Sequence, residues 1–491
     1  MLEVFSPERN ERISPFRGIR YNQEIVRDLA KVICPPYDII TPEQQKLYYE
    51  KSGYNAIRLE LQPEQLGDNT INNKYTRAAR TLHQWLKQGV LQADRVPSFY
   101  LHDHYFTYLG EKRRRRGLIA RCKLEPWGNT VYPHEETLPK AKDDRLKLLR
   151  ACRANFSSLL SLYHDSGQKI APILSEASQS KPIIELTNTD ESHIVWAITD
   201  PEVEQLISQF LSAQPLYMAD GHHRYETALT YQQEIARRAN TIGILPKAKT
   251  VENRNHINST HFAQRANLDK SIEFAPKAQY IMMELVEFSD PGLVILPIHR
   301  LVRGIASSTL AGLKKQLENF FALEFIPLTE GSLAPVIASE AKQSPLLTQS
   351  MVLGILGLEP RSLVVLKQRQ GMPIEAMMPG NRSQVYKRFS ISILNHVILK
   401  RILGLKCHYS SGALARSSEA LASEEESIAY TADLDEAYQQ IKEGKYQLAF
   451  LSSPPQPEVI KAIADAKDRM PRKSTYFYPK LPAGLIINSL V

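Results

Sequence analysis

The chain is expected to be an α/β protein with α+β elements, because strand-type and helix-type segments alternate along most of its length. Three stretches carry this expectation. Pro215–Asp220 is an apolar run that passes through one glycine into a long helical stripe. Residues 97–126, SFYLHDHYFTYLGEKRRRRGLIARCKLEP with its flanking proline, read as a hairpin turning at Gly110. From about residue 305 the alternation resumes with STLAGLKKQLENFF, MVLGILGL, SLVVLKQ, DLDEAYQQIKEG, YQLAFLSS and PEVIKAIADAKDRM.

The remaining elements follow from local chemistry. After a leader rich in Pro and Arg, Pro35-Pro36 stops any helix. Thr41-Pro42-Glu43 then starts one, with Thr41 as cap and Pro42 in the first position. AIRLEL is expected as a strand. Tyr75, Ala78, Ala79, Leu82 and Leu86 form a helical stripe closed by Gly89. A helix is expected from about Asp143, with Leu146, Leu149, Cys152 and Phe156 on one face. Pro172–Leu174, Pro182–Leu186 and His193–Ile198 are candidate strands, and PEVEQLISQFLS a helix. The polar stretch near 240–276 and the segment 336–350 read as inserted loops. Three segments result: an N-terminal α/β segment at 1–96, a core at 97–304 and a C-terminal α/β domain at 305–491.

With 491 residues the chain can bury two or three cores. Its hydrophobic share of 43% and charged share of 23% are those of a soluble globular protein. The 61 basic and 53 acidic residues leave a formal charge of +8, which favours phosphate-bearing ligands without requiring nucleic acid. The first ten residues carry charges in place of a signal peptide's apolar run, and no stretch has the length of a membrane span. Cys34, Cys122, Cys152 and Cys407 show neither Cys-x-x-Cys nor zinc-ligand spacing. A cytoplasmic protein with reduced thiols is expected, and a homo-oligomer is compatible with the composition.

The densest chemistry lies in Asp-Gly-His-His-Arg at 220–224. Gly221 lets a phosphate approach the backbone, and the first amides of the following helix point at it with the helix dipole behind them. His222 and His223 flank the same site, and Arg224 offers a two-pronged grip. Asp220 is suited to Mg²⁺ or to a hydroxyl proton. The plainer alternative is a capped, packed turn, but four consecutive polar side chains in a buried turn would each need a partner.

DGHHRYETAL resembles a bacterial and archaeal family known as domain of unknown function 1015, together with CPPYDII at Cys34–Ile40, PHEET at Pro133–Thr137, DRLKLLRACRANFSSLLSLYHD at Asp144–Asp165, DPGLVILPIHRLV at Asp290–Val302 and PRKSTYFYPKLPAGLII at Pro471–Ile487. The resemblance runs nearly end to end. The DGHHR element is also similar to the phosphate-binding motif of the ParB and sulfiredoxin superfamily, which implies a ParB/sulfiredoxin-like nucleotide-binding core within 97–304. That superfamily includes free serine kinases, sulfiredoxins and nucleotide-binding partition proteins. Sulfiredoxin chemistry needs a thiol beside the phosphate loop, and Met218–His222 contains none. In the serine kinases a glutamate after a Pro-His pair acts as base on the substrate hydroxyl, and Glu135 matches it.

The other clusters carry less. His102 and His104 share a strand face at i, i+2, but no third ligand is near in sequence, which favours two solvated histidines on an exposed hairpin. The run KRRRR at 112–116 reads as a charged edge strand rather than a nucleic-acid track. Arg300, Lys473 and Lys480 lie where strands end and are second-rank ligands for a site shared between the two halves.

The sequence thus leads to a nucleotide-dependent phosphotransferase using ATP or ADP with Mg²⁺ on a small hydroxyl compound such as serine. Glu135 and Asp220 are its expected catalytic groups, with Asp220 also on the metal. Gly221, His222, His223, Arg224, Arg300 and Lys480 are its expected nucleotide ligands. Two alternatives remain open on the residues: a nucleotide-switched ParB-like module acting on DNA or a protein partner, and an NTPase with no second substrate.

Overall fold

The computed structural model describes residues 11–137, 139–188, 190–241, 277–328, 352–369, 371–372, 374–405 and 427–491. Cys407 and most of the two expected insertions lie outside these residues. Within them the chain is a mixed α/β protein.

A nine-stranded sheet organises the first half. Its order is Val131–Tyr132, Leu216–Asp220, Leu159–Tyr163, Tyr280–Glu287, Glu111–Lys123, Phe99–Tyr108, Glu191–Ile198 and Ile184–Thr187, with Ile13–Ser14 added beside Glu111–Lys123. Most neighbours are antiparallel, whereas Leu216–Asp220 runs parallel to Val131–Tyr132, and Tyr280–Glu287 parallel to Leu159–Tyr163. The hairpin turns at Leu109-Gly110, where both residues have positive φ (51° and 78°), the two-residue turn whose twist matches the flanking strands. Central strands are covered on both faces. Leu101, Leu118 and Met283 pack toward Ile207, Leu211 and Tyr225 of helices Pro201–Ala213 and His222–Thr241. Tyr100, Ile119 and Met282, one residue out of phase, pack toward Leu82, Trp85 and Leu148 of helices Lys74–Lys87 and Pro139–Cys152.

Two expected strands are helices. AIRLEL forms Ile57–Glu60, because Asn55 folds the backbone locally. Its Oδ1 accepts from Ile57 N–H at 2.9 Å, and its Nδ2 donates to the carbonyls of Lys31 and Ile33. Pro172–Leu174 lies in Ile170–Ala177, whose first amides are accepted by the Asp165 carboxylate at 2.8 Å from both Lys169 and Ile170. Phe156, expected on the helix now seen at Pro139–Cys152, belongs instead to strand Ala154–Ser157. The Thr41 cap forms as expected, with a reciprocal bond from Thr41 N–H to Gln44.

The second half builds a six-stranded antiparallel sheet: Phe321–Pro327, Ser362–Gln368, Val352–Glu359, Leu448–Ser452, His299–Val302 and Ile428–Thr431. Sheet membership crosses the segment limits read from sequence. His299–Val302 lies in the second sheet, and the chain end returns to the first half. Tyr476–Tyr478 pairs with Val294–Leu296, and Ala483–Ser489 pairs with Ile19–Tyr21 and Ala154–Ser157. An apolar cluster joins the halves, with Leu160, Tyr217 and Ala219 against Ile460, Ile463 and Phe477. This return places the C-terminal lysines beside Asp220. None of the described helices is long and apolar enough to cross a membrane.

Candidate functional site

Strand Leu216–Asp220 ends at Gly221, and helix His222–Thr241 starts at the next residue. The first bond reaching back into the turn runs from Tyr225 N–H to the Gly221 carbonyl at 3.0 Å, so the amides of 222–224 precede any intrahelical acceptor. Gly221 has φ +97°, and a Cβ there would lie 2.8 Å from Leu159 Cγ and 3.1 Å from Arg224 Nη2. Only glycine combines that backbone with that clearance. Gly221→Ala is expected to cost about 1–3 kcal/mol of stability, read as a lower urea midpoint. An unchanged midpoint would show that the turn relaxes.

This turn lines a cavity of about 700 Å³. Asp220, Gly221, His222, His223 and Arg224 line it together with Glu135 and Glu136, Lys473 and Lys480 come from the chain end, and Tyr37 and Asp38 belong to the same lining. Asp220 is ionised between two cations. Lys480 Nζ donates to its Oδ1 and Arg224 Nη2 to its Oδ2, the latter at 3.2 Å. Burial raises the Asp220 pKa, but the Lys480 and Arg224 charges outweigh it and the net shift is downward. Lys480 is raised for the reciprocal reason, with Asp220 overcoming desolvation.

Arg224 is not poised as a free fork. Its Nη1 donates to Ser157 Oγ at 2.7 Å and to the Ser158 carbonyl at 3.1 Å, which ties the helix start to the neighbouring strands. His222 is buried, and its Nε2 accepts the His134 amide at 3.2 Å. His223 is less enclosed. Burial lowers its pKa, partly opposed by Glu135. Arg300 lies outside the cavity lining, where it donates from Nη1 to the Ile298 carbonyl at 2.5 Å and from Nη2 to the Arg472 carbonyl at 3.4 Å. It supports the wall from behind.

Glu135 sits in the segment that follows strand Val131–Tyr132 and bridges to Met470. Its Oε1 accepts the Lys473 amide at 3.0 Å. Burial raises its pKa above the ordinary carboxylate value, against the pull of that amide and of the Lys473, His223 and Lys480 charges. Lys473 is itself lowered, mainly by burial, and has φ +56°. Such a strained position beside a carboxylate is typical of sites where the fold over-determines one side chain.

His134 locks the two halves of the site. Its Nδ1 donates to the Met218 carbonyl at 2.6 Å, and its Nε2 accepts from Thr475 Oγ1 at 2.8 Å. Burial lowers its pKa from 6.5 to about 4. Between those two values the unfolded chain binds the extra proton, so this contribution is complete above pH 6.5 and lost as pH falls toward 4. Urea midpoints should fall across that window, and the slope should be shallower in His134→Gln. Equal slopes in the two chains would assign the effect to other histidines.

Sequence reasoning missed Asp38. CPPYDII was read as a helix stop and as part of the family resemblance, with no role given to Asp38, although its one carboxylate in an otherwise uncharged run was a signal. Asp38 Oδ1 is buried without a hydrogen-bond partner and lies on the cavity wall facing the lysines. Expectations for the basic run also change. Arg115 is fully buried, and Arg116 grips Asp103 through two bonds of 2.7 Å, so these two are structural, whereas Lys112 and Arg114 stay exposed as a charged edge would have them.

A mixed α/β fold with a cavity that carries charged side chains at a glycine-led helix start defines the class of this protein. The chain belongs to the family described as protein of unknown function (DUF1015), whose model matches residues 13–369. Lys473 and Lys480 therefore reach the cavity from beyond the matched region. No curated protein matches the chain. Among solved structures it is similar to a conserved hypothetical protein from Pyrococcus furiosus, at 11% identity over 72% of this chain and 90% of that one, with a TM-score of 0.29. It is also similar to a free serine kinase in complex with AMP, at 11% identity over 72% and 87%, with a TM-score of 0.30. A mutant of that kinase in complex with ADP gives the same identity, coverage and TM-score.

Proposed function

We propose that this chain is a nucleotide-dependent phosphotransferase that moves a phosphoryl group from ATP or ADP to a small hydroxyl compound, with an amino acid such as serine as the substrate class. The observation that carries the reading is the meeting, in one cavity, of a glycine-led helix start and a carboxylate held in a raised pKa state. The similarity of DGHHR to the phosphate motif of the ParB and sulfiredoxin superfamily supports it.

The residues present fit a polyphosphate. The space a Cβ would fill at Gly221, the amides of 222–224, His223 and the Lys473 ammonium offer donors and positive charge to its oxygens. The nucleotide supplies the transferable phosphoryl group. Glu135 takes the acceptor hydroxyl proton, for which its raised pKa is suited, while the Lys473 amide on Oε1 fixes its direction. Asp220 holds Lys480 at the cavity wall, and it would bind Mg²⁺ only by releasing Lys480 from Oδ1. Segment 97–304 serves as the nucleotide core in this reading. Cytoplasmic location belongs to the same proposal, supported by three buried free thiols at Cys34, Cys122 and Cys152.

Thermal-shift titration with ATP, ADP and CTP, each with and without Mg²⁺, tests the first half of the proposal, because a ligand of the native state raises the melting point. An amino-acid and sugar acceptor screen tests the second half. Acceptor-dependent release of ADP or AMP is expected. Slow turnover indifferent to every acceptor, joined to salt-sensitive DNA retention, would replace the kinase with a nucleotide switch.

A further inference from the structure

His102 and His104 were expected to be solvated, but both are fully buried, and a third and fourth group meet them from the adjoining strand. His193 lies directly across from His104 in the antiparallel pairing of Glu191–Ile198 with Phe99–Tyr108. Glu191, two residues before His193, shares that face. We propose that His104, Glu191 and His193 form a binding site for a first-row divalent cation of the zinc class, separate from the nucleotide cavity. Each of the three offers one ligand atom, and these atoms lie within 4.8 Å of one another.

The surrounding hydrogen bonds select the ligand-competent form of His193. Glu284, buried on strand Tyr280–Glu287, accepts from His102 Nδ1 at 3.0 Å. That bond leaves a lone pair on His102 Nε2, which accepts from His193 Nδ1 at 3.0 Å. The relay therefore places the His193 proton on Nδ1 and a lone pair on Nε2. His193 Nε2 faces Glu191 Oε2 at 3.7 Å, beyond hydrogen-bond reach, so two electron-rich atoms confront each other. A cation between them resolves that repulsion. A carboxylate and two histidines oriented by a further His and Glu make the donor set and outer support that zinc-class ions select. Room for the outer carboxylate is built in: a Cβ on Gly117 would lie 2.5 Å from the Glu284 side chain.

His104 must change hydrogen-bond partners to join. In the structure its Nε2 donates to Glu191 at 2.8 Å, and its Nδ1 accepts from Arg115 Nη2 at 3.2 Å. Ligation through Nε2 requires that proton to sit on Nδ1 instead, so the ring releases no net proton. Arg115 Nη2 then turns away, while Nη1 keeps its bond to the Pro479 carbonyl at 2.9 Å. Glu191 is 32% exposed, so the fourth coordination position opens to solvent on its side.

The test uses the full, tag-free chain dialysed against chelator and then titrated with Zn²⁺ or Co²⁺. One equivalent per chain is expected, with the visible d–d absorption of four-coordinate Co²⁺ and a raised melting point. Glu191→Gln should abolish that absorption and weaken binding at least about tenfold, and Glu284→Gln should weaken it about 10- to 100-fold through the relay. Because Glu191 is partly exposed, its glutamine variant should melt like the ion-free parent, which separates lost ligation from lost folding. Less than one equivalent in the parent chain, or a Co²⁺ spectrum that Glu191→Gln leaves intact, overturns the site. Neither result depends on nucleotide binding.

Discussion

Glu135→Ala is expected to lower acceptor-dependent phosphoryl transfer about 10²- to 10⁴-fold, the range that general-base catalysis contributes, while nucleotide affinity stays nearly unchanged. The asymmetry follows from geometry. Glu135 holds the Lys473 amide and adjoins the helix start, but the amides and the Gly221 clearance that would receive phosphates do not depend on its carboxylate. Glu135→Gln sharpens the test, because the glutamine oxygen can still accept the Lys473 amide but cannot take a proton. Turnover lost in both variants, with thermal shifts by nucleotide retained, supports the base role. Glu135→Gln at parental turnover would show instead that the carboxylate only positions Lys473.

Lys480→Met is expected to have the largest effect on stability. Asp220 would keep Arg224 alone, and breaking a largely buried pair from one side costs about 3–5 kcal/mol. The two side chains are 9% and 18% exposed, so solvent relieves part of that cost. The sign of the pH dependence is set by Asp220, whose native pKa lies below the ordinary 3.8. The pair's contribution is present above that value and is lost as pH falls through the native pKa. Parent and Lys480→Met urea midpoints should therefore differ most at neutral pH and converge in strong acid. A constant gap at every pH would mean that Lys480 acts through packing on Tyr476 rather than charge. The double variant Asp220→Asn with Lys480→Met should recover part of the loss, because neither charge is then left buried alone.

Parts of the site were legible because they are local. A strand, one glycine and a helical stripe are written consecutively at 216–241, and a glycine-led helix start needs nothing distant. Pro133-His134-Glu135 was legible only through its resemblance to kinase motifs. His134 could not be recognised as the tie between Met218 and Thr475, since both partners are far away in sequence. Asp38 was overlooked because its importance arises from what faces it. The errors at Ile57–Glu60 and Ile170–Ala177 have one cause. In both, an Asn or Asp outside the segment accepts amide hydrogens and turns an apolar run into a short helix, and hydrophobic periodicity over four residues cannot register that.

The histidines give the clearest contrast. Spacing alone placed His102 and His104 on one face, and the pattern of a charged hairpin then argued for solvent. Strand pairing decides otherwise, because Glu191–Ile198 lies against Phe99–Tyr108 in a register that sets His193 opposite His104.

By itself, the sequence determined the alternation of elements and the glycine-led helix start, because these depend on neighbours within a few residues. Tertiary structure alone decided that Lys473 and Lys480 return from the chain end to the cavity, that Lys480 joins Arg224 in neutralising Asp220, and that buried His193 and partly exposed Glu191 meet His104. The physical reason is common to all three. A charge or a lone pair acquires its chemistry from what lies within a few ångströms, and at these positions the nearest groups are separated by tens to hundreds of residues along the chain.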